Sequence, residues 1–368
     1  MRTAIIDNGI DIGTFSLYAN QPVCLKVCDG KIIPAEPPQR ITHGGLCGRI
    51  FAQQSGALPD VSICLSRDDE HRSNVNDLST ALEWCSYNDI DLVNLSMGTT
   101  RFSDCAILYE TLKKLQSAGV VLVTAASNDG LITYPASLDL CIGVCQTYLP
   151  GLDAGCYAYL ENPFDGIDVV TYPVIYSELN LMGSNSLSAA FIAGMIRKQF
   201  SSSIDTRTVR RWLLDNAQGI AAEWERDYYR EKMNFMPDHE SIIIACCAIS
   251  SEQSEIFMEA LKKRIICDGY SCAILAKRGT SSLSTHKFSL EHSPMSLSES
   301  LSYVTRSCRP SVILLDEWEL AYSADVLVHE DVVHNKLHSN ALLSCSLSDT
   351  NPDALWKRTK ELFEKNDD

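Results

Sequence analysis

The 368-residue chain has a deficit of positive charge, no long apolar run and no paired-cysteine motif. Lys and Arg number 31 against 47 Asp and Glu, a formal net charge of −16. That balance repels phosphate backbones and anionic lipid surfaces, so no nucleic-acid partner is expected. No stretch reaches the roughly 18 apolar residues of a bilayer-spanning helix, so no membrane insertion is expected. The opening "MRTAIIDNGID" meets an aspartate after one short apolar run, too soon for a signal peptide, and a cytoplasmic location follows as an expectation. The 15 cysteines are odd in number and contain no Cys-x-x-Cys, and Cys24/Cys28, Cys141/Cys145 and Cys246/Cys247 miss zinc-finger and zinc-ribbon spacing. No metal and no cofactor are expected. Cys64, Cys141, Cys246 and Cys272 sit inside apolar runs, where a free thiol packs as a small hydrophobe, and reduced thiols suit a reducing compartment.

What is present is a globular composition, 45% hydrophobic, arranged as short apolar runs alternating with helix-period segments. "TAIID", "DLVNLSMG", "GVVLVTAASN" and "LCIGVCQT" read as buried strands, and "DCAILYETLKKLQSAG" as a helix ending at Gly119. Strand, helix, strand in succession predicts an α/β fold with a parallel sheet and right-handed crossovers. In such sheets sites gather at the carboxyl ends of strands, where Asp7, Ser96 and Asn128 fall. "GSNSLSAAFIAGMI" (183–196) sets polar residues at the mouth of a slim, small-residue helix, the pattern of a capped helix buried in the protein centre. "SSSIDTRTVRRWLLDNAQG" reads as a second capped helix.

Four of these segments together resemble the subtilisin-like serine proteases, the subtilase family. "AIIDNGI" resembles the strand ending in the triad carboxylate, here Asp7, and "HGGLCGRI" the helix start with the general base, here His43. "VLVTAASNDG" is similar to the segment delivering the oxyanion asparagine, here Asn128, and "SNSLSAAFIAG" to the nucleophile segment, with Ser186. The order Asp, His, Asn, Ser is the family's, and the likeness covers about residues 1–217. It implies a three-layer, parallel-sheet subtilisin-like catalytic domain over 1–220; beyond it, the charged, aromatic stretch with a break at Pro237 reads as a linker at 221–238, and a second strand-helix-strand pattern as a smaller α/β domain over 239–368. It also implies Ser-His-Asp chemistry: His43 removes the Ser186 proton during attack, Asp7 orients the imidazole, and Asn128 with the Ser186 N–H receives the oxyanion.

By the same resemblance, Ser96, Met97 and Gly98 back the substrate, and Ala125, Ala126 and Ser127 with Thr133 wall the pocket for the residue before the scissile bond. None is charged, which favours a small or apolar side chain there. Four positions depart from the family pattern: Asn185 for Thr, Gly45 for Thr, and Ala190 and Phe191 for Pro-His. The triad aspartate as seventh residue resembles compact cytoplasmic subtilases that trim ribosomally made, modified peptides such as bacteriocin precursors. A peptide substrate and a partner protein held by the C-terminal domain are the implied partners. A catalytically weak, subtilase-shaped peptide-binding scaffold is the alternative.

In the C-terminal part, "SIIIACCAIS", "YSCAILAKRG" and "SVILLDEWE" read as strands and "EIFMEALKKRIICDG" as a helix, with the serine-rich residues 280–302 as a loop. Asp316-Glu317 imitates a nucleotide-hydrolysis strand end, yet "SEQSEIF" supplies no phosphate loop, so no nucleotide is expected. His329, His334 and His338, near Glu330 and Asp331, lack metal spacing and read as solvated surface residues.

Overall fold

A computed structural model of the protein describes residues 1–65, 73–173, 183–219, 223–247, 251–279, 281–291, 293–316, 324–329, 341–347 and 350–364. The chain divides into two compact units, Met1–Tyr228 and Tyr229–Asp368.

Strands of the first unit are β1 (Thr3–Asp7), β2 (Val23–Cys28), β3 (Lys31–Pro34), β4 (Val61–Cys64), β5 (Leu92–Leu95), β6 (Val121–Ala125), β7 (Ile142–Gln146), β8 (Tyr157–Tyr159) and β9 (Val169–Thr171). They form one sheet in the order β3-β2-β4-β1-β5-β6-β7-β9-β8. Pairing is parallel throughout except at the two rims, where β3 and β8 run antiparallel to their neighbours. Central strands β1, β5 and β6 are buried along their whole length, so they read as largely apolar runs rather than as alternating ones.

The helices are α1 (Ile12–Phe15), α2 (His43–Ser55), α3 (Val75–Tyr87), α4 (Cys105–Ser117), α5 (Asn185–Gln199), α6 (Thr206–Asn216) and α7 (Glu223–Phe235). Residues of α7 lie within the stretch read as linker, and the division between units falls inside it. Helices α2 and α5 pack on one sheet face, in a core shared with Ile5, Leu92, Val121, Val123, Ala125, Ile142, Val144 and Val169. Because side chains alternate along a strand, Asp7, two residues after Ile5, emerges on that same face. Helix α5 is buried almost all round, which its small residues permit. A β-carbon at Gly194 would lie 2.5 Å from the carbonyl oxygen of Phe51, so the α2–α5 crossing needs glycine there. Helices α3 and α4, carried by the crossovers β4→β5 and β5→β6, pair with one another through faces that bury Leu78, Leu82, Leu108 and Leu112.

The second unit contains β10 (Ile242–Cys247), α8 (Ser251–Cys267), β11 (Cys272–Ala276), β12 (Lys287–Ser289), α9 (Leu297–Cys308), β13 (Val312–Asp316), β14 (Val326–His329), β15 (Leu343–Ser346) and α10 (Pro352–Glu364). Its sheet, ordered β12-β11-β13-β10-β14-β15, is parallel in every pair. Two readings of this region need correction. The serine-rich stretch is not one loop: it holds β12 and the start of α9, because Ser296 and Glu299 form a capping box and Leu301, Val304 and Cys308 bury one helical face. His329 is not a surface residue; it is 1% exposed in β14, between β10 and β15, with Nε2 3.0 Å from Ser344 Oγ. Glu317, Glu330, Asp331, His334 and His338 lie outside the described residues. Among the described residues no helix is long and apolar enough to cross a membrane.

Candidate active site

Asp7 ends β1, and the 13-residue helix α2 begins with His43. Thr42 caps that helix: its hydroxyl accepts from Gly45 N–H at 2.9 Å and donates to Gly9 O at 2.7 Å, which sets the helix mouth against the end of β1. His43 Nδ1 then lies 2.7 Å from Asp7 Oδ2. The other carboxylate oxygen accepts the Asn8 N–H at 2.7 Å, so both oxygens of this 1%-exposed carboxylate are engaged. Asp7 first, and a contact with Cys47 second, hold the imidazole proton well above the ordinary range, while burial works in the opposite direction.

Ser186 is the second residue of α5, behind the N-cap Ser184, and is 7% exposed. Its Oγ lies 3.5 Å from the carbonyl oxygen of Ser96, just past β5. One sulfur atom ties the two helices to this strand end. Cys47 Sγ, one turn along α2 from His43, is 3.9 Å from His43 Nδ1, 3.8 Å from Ser186 O and 3.4 Å from Ser96 Oγ. Cys47 is fully buried, and burial pushes its thiol pKa up. Sequence spacing offered a signal for it, since positions four apart share one helix face. Asn128 sits in the turn after β6, where its Oδ1 accepts the Asn185 N–H at 3.0 Å. The folded chain therefore brings Asp7, His43, Ser96, Asn128 and Ser186 to one sheet edge.

No protein-family model matches the chain. Curated relatives do. Minor extracellular protease Epr of Bacillus subtilis is 33% identical over 97 residues, covering 25% of this chain and 15% of that protein. M-protease of Shouchella clausii is 30% identical over 156 residues, covering 40% of each. Subtilisin DY of Bacillus licheniformis is 29% identical over 178 residues, covering 45% of this chain and 64% of that one. Over part of its length the chain is similar in sequence to subtilisins. It spans 15% to 64% of the lengths of these three relatives. Among solved structures it is similar to a lanthipeptide protease, at 15% identity, TM-score 0.47, over 60% of this chain and 81% of the other. It is also similar to the prenylagaramide maturation protease PagA, at 17% identity, TM-score 0.39, over 60% and 85%.

Departures from the subtilisin-like pattern have local causes. A β-carbon at residue 45 would fall 1.8 Å from Asp11 Oδ2, so the glycine accommodates a carboxylate that caps α1 through Thr14 N–H. Asn185 is 6% exposed, and its side chain joins three backbone groups: it donates to Ala126 O and Ser127 O at 3.2 and 2.8 Å and accepts from Gln146 N–H at 2.8 Å. Helix α5 is thereby fastened to the ends of β6 and β7. Ala190 keeps the helical N–H that proline lacks, and Phe191 joins the α2–α5 core.

Beside this subtilisin-like cluster, residues 96–98 run along 133–134. Thr99 and Tyr134 exchange two backbone hydrogen bonds of 2.8 Å, and Thr133 Oγ1 accepts from Ser127 N–H at 2.9 Å. Ser96, Met97 and Gly98 are thus held near Ala125, Ala126, Ser127 and Thr133, all uncharged. The second unit carries a separate cleft of about 290 Å³ beside the carboxyl ends of β11 and β13, lined by Glu255, Glu259, Arg278, Lys287 and Asp316 among others.

Proposed function

We propose that the chain is a serine endopeptidase with Ser186 as nucleophile, His43 as general base, Asp7 as its orienting carboxylate and Asn128 as oxyanion donor. The observation that carries the reading is the 2.7 Å pairing of His43 Nδ1 with Asp7 on the sheet edge where α5 presents Ser186. A serine hydroxyl attacks a peptide carbonyl only as its proton leaves. With Nδ1 held by Asp7, Nε2 on the far edge of the ring takes the Ser186 Oγ proton and later delivers it to the leaving amine. The tetrahedral oxygen receives hydrogen bonds from Asn128 Nδ2 and the Ser186 N–H, at the positive end of a helix. Water then hydrolyses the acyl-enzyme by the same proton relay.

The finer assignment is a peptide-maturation protease that trims a ribosomally made, modified precursor, of the bacteriocin type, in the cytoplasm. The absence of charge among residues 96–98, 125–127 and 133 supports a selective cut after a small or apolar residue. The second unit, with a cleft at its strand ends and no phosphate loop in its sequence, supports binding of substrate or of a partner protein.

Fluorophosphonate labelling tests the chemistry. Stoichiometric labelling of the wild type, lost in Ser186→Ala and in His43→Ala, is expected. Absence of labelling in the wild type overturns the protease reading and leaves a peptide-binding scaffold.

A further inference from the structure

The cleft of about 290 Å³ in the second unit stands at the small end of ligand sites, which span about 300–1,000 Å³. Its position follows from the sheet. Ligands of parallel sheets collect beyond the carboxyl ends of the strands, and here β11 ends at Ala276 in register with Asp316, the last residue of β13. Ile274 and Ala276 share a core with Met258 of α8, and all three are buried, so the cleft has an apolar floor. Asp316 comes two residues after Leu314 of that same core, which brings its carboxylate out on the α8 side. There the buried Ser254, near the start of α8, donates its hydroxyl to Asp316 Oδ1 at 2.7 Å and fixes the carboxylate at the strand end.

The charges over that floor are of both signs. Lys287, in register with Ile274 across β11 and β12, pairs with Glu255, so these two neutralise one another. What is left is the carboxylate of Asp316, the half-buried carboxylate of Glu259 and the exposed guanidinium of Arg278. The side chains of Glu259 and Arg278 make no hydrogen bond or ion pair among the described residues. Carboxylates and a guanidinium around one apolar floor complement a ligand that carries an ammonium, a carboxylate and an apolar side chain. A simple anion or a simple cation is a poorer match, because each would bring its charge beside a like one.

We propose that this cleft binds a short peptide with free termini and an apolar side chain. Glu259 and Asp316 take the ammonium, Arg278 takes the terminal carboxylate, and the side chain lies on Met258, Ile274 and Ala276. Binding is non-covalent. The assignment deepens the reading of the second unit as a binding module, and it does not rest on Ser186 chemistry.

Ligand-observed NMR titration of the full chain tests this, carried out in Ser186→Ala so that no peptide is cleaved. The probes are leucylglycine, its N-acetyl form and its C-terminal amide. Saturable binding of leucylglycine is expected, weakened at least about tenfold by either blocking group and by Arg278→Gln or Glu259→Gln, because each change removes a charge-assisted contact. The blocked peptides report on these contacts without altering the chain, so the test does not depend on how well a variant folds. No saturable binding of leucylglycine overturns the site. Equal binding of the blocked forms overturns the ligand class, and binding untouched by both substitutions puts the peptide elsewhere on the chain and overturns the cleft. Fluorophosphonate labelling of the wild type decides the peptidase chemistry separately, so the two readings fail independently.

Discussion

Asn185 donates its backbone N–H to Oδ1 of Asn128 at 3.0 Å, one residue before Ser186. A backbone N–H only donates, so the oxygen of this amide must face α5 and its Nδ2 must face away from that bond. Helix α5 therefore also fixes which end of the Asn128 amide faces away from it.

Asn128→Ala is expected to lower kcat by roughly 10²–10³ with little change in KM, a magnitude taken over from the corresponding subtilisin donor. Steady-state kinetics on a peptide substrate check this. A rise in KM alone would mean that Asn128 binds the ground state instead.

Asn185→Ala strands the Gln146 N–H and two carbonyls that the side chain now satisfies. Leaving a buried donor without a partner costs about 1–3 kcal/mol, and at about 2–4 °C per kcal/mol for a unit of this size the melting temperature should fall by several degrees. Fluorophosphonate labelling should slow as well, because the first turn of α5 loses its tie to β6 and β7. An unaltered melting curve would show that the three bonds carry no stability.

At position 45 the obstacle is a single carboxylate. Gly45→Ala is expected to destabilise by about 1–3 kcal/mol through overpacking against Asp11. Chemical denaturation of Gly45→Ala, Asp11→Ala and the double variant should reveal a coupling of about 0.5–3 kcal/mol, with the double variant more stable than the sum predicts. Strict additivity would remove Asp11 as the reason for the glycine.

Burial raises the Asp168 carboxyl from 3.8 to about 6, although Arg210 and the Gly143 N–H pull it the other way. Between these values the folded chain keeps a proton that the unfolded chain has lost. Its contribution to stability therefore declines as pH rises through this window. Melting temperatures of wild type and Asp168→Asn, measured from pH 4 to 7, should show the wild type losing ground relative to the variant as pH rises. Parallel profiles would contradict the shift.

Peptides varied at the residue before the cut should be cleaved fastest with small or apolar side chains, because Ser96–Gly98, Ala125–Ser127 and Thr133 bring no charge. Comparison of kcat/KM across such a series is the measurement. A preference for Lys or Arg would require an acidic group in the pocket.

Much of the arrangement is legible in the residue order. β1, β5, β6 and β7 read as largely apolar runs because both of their faces are covered. The central helix shows in its small residues, and four short motifs in order mark Asp7, His43, Asn128 and Ser186 as candidates. Cys47 stands four residues from His43, a spacing visible in the sequence, yet an isolated cysteine there fits core packing equally well; its distances to His43, Ser96 and Ser186 separate the two readings. The capping box at Ser296 and Glu299 was hidden in serine-rich surroundings, and His329 was misplaced outside because its polar neighbours in sequence are not its neighbours in the sheet.

Residue order by itself determined which segments become strands and helices, and where chemistry-bearing side chains fall relative to strand ends, since periodicity and capping act over a few residues. The separation of Asp7 from His43, the end of Asn128 that faces away from α5, and the need for glycine opposite Asp11 were decided only by tertiary structure. Each depends on atoms dozens of residues apart being packed to within a fraction of an ångström, and local sequence carries no measure of that.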